Sequence, residues 1–102
     1  MKKQAIAVLA SVALFALPAL GTAAEAPAQY QSSCFACHGT GAAGAPKTGD
    51  TAAWEPKVSL GLEAMIASVR NGKGAMPPGG LCADCSDDDL KKLIEFMAGH
   101  SF

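Results

Sequence analysis

The chain has no run of basic residues and no basic patch interleaved with aromatic side chains, so it lacks the footprint of a nucleic-acid binder. No stretch alternates apolar with polar residues, so no strand is expected, and no internal repeat is present. The longest apolar run, Ala5 to Leu17, is interrupted only by Ser11 and falls short of the roughly 20 residues that span a bilayer. With 102 residues there is room for one domain.

What is present begins with an address. Lys2 and Lys3 precede the apolar run, Pro18 breaks it, and small residues follow through Gly21, Thr22, Ala23 and Ala24. That order is the charged, apolar and small-residue pattern of a secretory signal peptide, so residues 1–24 read as a cleaved leader and 25–102 as the mature domain. Without Lys2 and Lys3, six of the eight basic residues remain against nine acidic ones, a net charge of −3. A mature chain this short builds only a marginal hydrophobic core, and a covalent staple is usual at that size. Four cysteines in an exported chain can supply one.

Two of them lie in Cys34-Phe35-Ala36-Cys37-His38. On a helix, Cys34, Cys37 and His38 share one face. Both sulfurs can then reach the edge of one flat macrocycle while the imidazole points at its centre. C-x-x-C-H is the attachment pattern of c-type haem: the thiols add to two vinyl groups as thioethers, and the neutral imidazole is the proximal iron ligand. Zinc ribbons and redox dithiols also contain C-x-x-C.

Taken in order, the mature chain reads as short helices joined by Gly- and Pro-rich loops. A first helix is expected over Ala26–His38, with Tyr30 on the same face as Cys34, Cys37 and His38. The 39–57 segment is loop-rich, with Asp50 capping a single turn, Thr51–Trp54, that Pro56 should stop. Trp54, the only tryptophan, reads as a core filler and, compatibly with that, as an indole donor to a haem propionate. Leu62, Met65, Ile66 and Val69 give an amphipathic helix over Ser59–Arg70, which Asn71-Gly72 ends. The last helix opens at Ser86, paired with Asp89 as a capping box, buries Leu90, Leu93, Ile94 and Met97, and ends at Gly99.

A haem with one protein ligand binds small molecules; with two it transfers electrons. Met65 and Met97 lie on apolar helix stripes and read as core. Met76 stands in the loop Gly72-Lys73-Gly74-Ala75-Met76-Pro77-Pro78-Gly79-Gly80, where no helix face claims it and two prolines fix the backbone behind it. It is favoured as the second axial ligand over His100, near the C-terminus. Cys82 and Cys85 admit three readings: a structural disulfide, which is the simplest; a redox dithiol, whose βαβ setting is missing; or half of a four-thiolate metal site. In the last case the 44 residues between Cys37 and Cys82 far exceed the roughly 15–20 of the zinc-ribbon pattern.

These residues together resemble the small bacterial class I c-type cytochromes, most closely the cytochrome c-five type. The resemblance runs through Cys34-Phe-Ala-Cys-His38, Gly41-Ala-Ala-Gly-Ala-Pro46-Lys-Thr-Gly-Asp50 with Trp54, Asn71-Gly-Lys-Gly-Ala-Met76-Pro-Pro, and the helix from Ser86. It implies an all-α cytochrome c fold, three to four short helices around one haem, with the first and last helices crossing near Tyr30 and Phe96. It implies that the Pro46 carbonyl faces the second ring nitrogen of His38, and that Cys82 and Cys85 form a disulfide. The lead before Tyr30 is shorter than in many relatives.

The expected function is that of a soluble periplasmic one-electron carrier, not an enzyme. It would carry one covalent haem c on Cys34 and Cys37 with His38 and Met76 axial, and Pro46 and Trp54 beside it. The alternative is a haem-based sensor or peroxidase-like enzyme in which Met76 dissociates. Partners would be redox proteins met transiently by a monomer, with no nucleic acid and no membrane insertion after leader cleavage. Gly44, Ala45, Ala75, Pro77, Pro78 and Gly79 are small and uncharged, so an apolar docking rim is expected around the haem edge.

Overall fold

Four α-helices carry the domain, and no strand occurs among the described residues, 25–102, of the computed structural model. The leader assigned to 1–24 lies outside the described residues.

The first helix starts later than expected, at Tyr30 rather than Ala26. The Tyr30 N–H is used in a turn, donating to Pro27 O at 2.9 Å. Its opening segment, Tyr30–Cys34, is wound wide: the Phe35 N–H reaches the Tyr30 carbonyl, five residues back. Wide turns of this kind are frequent at functional sites. They run into α1, Phe35–His38.

Helix α2, Thr51–Val58, is capped by the Asp50 carboxylate, which accepts from Ala53 N–H at 3.2 Å. It continues through Pro56, correcting the expected stop at Trp54. Pro56 removes only the bond to the Ala52 carbonyl, and Ala52 is exposed, so water can take that acceptor. Helix α3, Leu62–Asn71, starts three residues after Ser59 because Gly61, at φ +91°, breaks the helical path. Helix α4, Asp87–Ala98, has the full capping box: Asp89 N–H donates to Ser86 Oγ at 3.1 Å and Ser86 N–H to Asp89 Oδ2 at 3.0 Å. Gly99 closes it in the left-handed conformation, at φ +62°.

Helices α2, α3 and α4 pack on one another pairwise. Leu90, Leu93, Ile94 and Met97 of α4 are buried with Met65 of α3 and Trp54 of α2, while Leu62, Ile66 and Val69 lie against them. Fully burying an aliphatic side chain such as Leu93 is worth about 1.5–3 kcal/mol. The first and last helices meet where sequence resemblance puts them: the Tyr30 and Phe96 rings contact edge-to-face, centroids 4.8 Å apart. Arg70 reaches Asp87 at 2.7 Å, but with the aspartate largely exposed the pair contributes at most about 1 kcal/mol.

Candidate haem site

His38 is held at both ends of the residue. Its Nδ1 lies 2.9 Å from Pro46 O, so Nδ1 is the protonated nitrogen and Nε2 keeps the lone pair. Its own carbonyl accepts from Thr48 N–H at 2.7 Å. The loop supplying these partners is itself pinned. The Tyr30 and Thr48 hydroxyls hydrogen-bond at 2.7 Å, and Gly49 N–H donates to Met97 O at 2.8 Å. A buried imidazole with fixed tautomer and orientation is what an axial iron ligand requires.

Met76 is positioned by backbone rather than by a helix. Lys73 and Met76 exchange two backbone hydrogen bonds, N···O distances 3.0 and 2.9 Å, closing a tight turn with Gly74 at φ +58°. The approach is close enough that a Cβ on Gly72 would stand 2.8 Å from Met76 O, and one on Gly80 would stand 2.7 Å from Met76 Cε. The loop is tied to the first helix by Ser33 Oγ, which donates to Leu81 O at 3.0 Å. The two elements bearing the ligand candidates are therefore directly joined.

Between them lies a cavity of about 300 Å³. Cys34, Cys37, His38, Pro46, Trp54 and Met76 all line it, and the rest of the wall is mostly apolar, including Val69 and Ile94. Met65 and Met97 also reach the wall, but from buried helix stripes, whereas Met76 is half-buried in its loop. His100 does not line it. That ring is exposed near the C-terminus, edge-to-face with Phe102.

The Trp54 indole differs from the propionate-donor reading. Its Nε1–H donates to Lys47 O at 2.8 Å, so that donor is already used. The ring is a buried wall beside His38, centroids 5.4 Å apart. A backbone carbonyl carries no residue-type signature, which is why the partner could not be read in advance. Two exposed leucines at the mouth, Leu60 and Leu81, were likewise missed: Leu60 lies in a turn and Leu81 ends the short 3-10 segment Pro78–Leu81, both outside any periodic stripe. Gly79 is buried, so it drops out of the expected rim.

The cysteines separate into two kinds. Cys34 and Cys37 are free. Burial pushes the Cys34 thiol above its ordinary range, the opposite of the lowered pKa of a poised redox thiolate. Cys82 and Cys85 are joined as a disulfide, both buried, with Cα atoms 5.3 Å apart. No group of three or more His, Cys, Asp or Glu suited to a metal ion occurs among the described residues. The donor set fits haem c: two thiols, a lone-pair imidazole nitrogen and a thioether around an apolar cavity.

Comparison with known proteins agrees. Residues 21–97 match the family described as cytochrome C oxidase, cbb3-type, subunit III. The chain is 53% identical to cytochrome c5 of Ectopseudomonas mendocina over 65% of its own length and 78% of the relative's. It is 39% identical to cytochrome c-555 of Chlorobaculum tepidum over 78% of its length and 77% of the relative's. Among solved structures, a mono-heme ferrocytochrome c from Shewanella putrefaciens aligns with TM-score 0.65 and 51% identity, over 70% of this chain and 88% of that one. A chain from an electron transfer complex of nitrite reductase with cytochrome c aligns with TM-score 0.62 and 41% identity, over 69% and 85%. The chain belongs to this cytochrome c family and is a small class I c-type cytochrome, an electron carrier that binds haem c covalently.

Proposed function

We propose that this cytochrome is a periplasmic one-electron carrier in which Cys34 and Cys37 hold the haem by thioethers and His38 and Met76 are its axial ligands. The observation that carries the reading is that these four side chains line one cavity, with His38 fixed by Pro46 in the tautomer that leaves Nε2 free to bind iron. The haem supplies the reversible one-electron chemistry of iron. The protein's part is to hold both ligands without rearrangement, to keep water from the apolar wall, and to bias the potential. A neutral thioether from Met76 raises that potential relative to other axial ligands. With both axial positions taken, no position is left for a substrate, so the carrier is not an enzyme.

Export rests on the leader pattern of residues 1–24. No helix of the described residues is long and apolar enough to cross a membrane. Partners are redox proteins that must release after transfer, and one structural neighbour is a cytochrome c in complex with nitrite reductase.

Two measurements test this proposal. Acid–organic extraction should leave the haem on the polypeptide, and the reduced protein at neutral pH should not bind carbon monoxide. Haem lost to the solvent would refute the thioethers. Stoichiometric carbon monoxide binding would show an open iron and favour the sensor or peroxidase-like alternative.

A further inference from the structure

The cavity wall carries two cations and no carboxylate. The charged or titratable groups facing it are Lys57 from α2, Lys73 from the methionine loop, and His38, Cys34 and Cys37 from the first helix; α3 and α4 contribute none. The two lysines differ. Lys73 is exposed at the turn, whereas Lys57 is half-buried one turn beyond Trp54, on the face of α2 that meets the cavity. Neither is in an ion pair among the described residues, where the pairs are Arg70–Asp87 and Lys92–Asp88. A lysine whose stem lies along an apolar wall with no carboxylate beside it has its ammonium unpaired and available to an anion that enters the cavity.

The haem brings two carboxylates of its own, the propionates, and they too need partners on entering an apolar cavity. Trp54, the nearest neutral donor on the same helix, is committed to Lys47 O. We infer that Lys57 is the counter-ion of a haem propionate, pairing with it at the cavity wall and thereby holding the haem's orientation and its potential. Lys73, exposed at the turn of the methionine loop, acts only as a solvent-screened charge. This inference rests on the haem being seated in this cavity as proposed above.

The sign of the effect is fixed by electrostatics. A cation beside the propionate offsets its negative charge at the iron, and losing that cation stabilises the more positive Fe(III) form, so the potential falls. The propionate also loses the partner that keeps it ionised, so its pKa rises. Redox titration of the holoprotein should therefore show Lys57→Gln shifting the Fe(II)/Fe(III) ratio at fixed ambient potential by about threefold toward Fe(III). That is about 28 mV for a one-electron couple, at 59 mV per tenfold. The variant's potential should also become pH-dependent near neutrality, where the parent's should be flat. Lys57→Arg should restore both, and Lys73→Gln should show a smaller shift and no new pH dependence. Lys57→Met, which keeps the apolar stem, guards against a packing effect and should match Lys57→Gln. Equal shifts in the Lys57 and Lys73 variants, or none in either, would overturn the pairing. The far-red thioether–Fe(III) absorption, measured on the same samples, separates this failure from that of the ligand assignment: a wrong counter-ion leaves the band intact, and a wrong ligand set leaves no Met76-dependent band at all.

Discussion

At the scale of single residues, the site is built as much by absent side chains as by present ones. Gly80 sits at φ +57° with Met76 Cε against the place its Cβ would occupy, and Gly72 sits at φ +81° against backbone atoms of Met76, Pro77 and Pro78. The two should fail differently on substitution. In Gly80→Ala the obstructing atom is the end of a flexible side chain, so the thioether moves, and the left-handed backbone costs about 1–2 kcal/mol while the fold survives. The far-red band should weaken and the potential fall, with far-ultraviolet dichroism unchanged. In Gly72→Ala nothing flexible can yield, and the backbone, at φ +81° and ψ +158°, lies in a region kept almost wholly for glycine that costs other residues about 1–3 kcal/mol, so the melting temperature should fall further than in Gly80→Ala. A Gly80→Ala protein with the parent's spectrum would mean that Met76 is not where the close approach puts it.

The residues proposed to hold the haem could be singled out in the sequence because their types are distinctive: Cys34, Cys37 and His38 by spacing, and Met76 by standing in a loop no helix face could claim. What could not be read was every contact made to a backbone carbonyl. Lys47 O on the Trp54 indole and Leu81 O on the Ser33 hydroxyl depend on where the chain passes, not on which side chain it carries there. Pro46 O on His38 was accessible only through resemblance to a family.

At the scale of elements, α4 is the helix whose ends and buried face were read in full, since Ser86, Asp89 and Gly99 are strong local signals and its stripe is periodic. Boundaries failed where a local signal met a tertiary one. Pro56 was overridden by packing around Trp54, and Gly61 rather than Ser59 set the start of α3. The α4 cap also makes a testable contribution. Ser86→Ala should cost about 1 kcal/mol, or about 4–8 °C in melting temperature for a domain of this size, with the haem spectrum unchanged. Asp89 is held below the ordinary carboxylate range, chiefly by the Ser86 backbone N–H donating to it. Its contribution is therefore full above the unfolded carboxylate pKa and is lost as pH falls through the lower folded value. Asp89→Asn should be less stable than the parent at neutral pH, and the two should converge in acid; a gap that persists there would assign the effect to packing.

The disulfide belongs to the same scale. It closes a loop of sequence separation 3, so chain-entropy arguments allow at most about 2 kcal/mol. Replacing both Cys82 and Cys85 by Ala should lower the melting temperature while haem and potential are kept. Loss of electron transfer in a variant that is still folded would make the pair a redox dithiol instead.

For the whole molecule, acidic charge and apolar surface are segregated. Asp84, Asp87 and Asp88 are exposed around the start of α4, whereas the cavity mouth presents Leu60, Leu81, Ala75 and Pro77 with Lys57 and Lys73. Carriers that must dissociate use small contacts, below about 1,200 Å² in total, and an apolar mouth supports docking that salt screens only weakly. Ala75→Lys should therefore change the rate of partner reduction far more than Asp87→Asn and Asp88→Asn together. The reverse ranking, with steep salt dependence, would move docking to the aspartates.

The proposed Met76 ligation underlies everything at the larger scales, and three methionines reach the cavity. The far-red thioether–Fe(III) absorption of the oxidised protein distinguishes them directly. It should be present in the parent and in Met65→Leu and Met97→Leu, and absent in Met76→Ala, whose potential should fall while the protein stays helical. A band that survives in Met76→Ala and disappears in either of the other two would contradict the account.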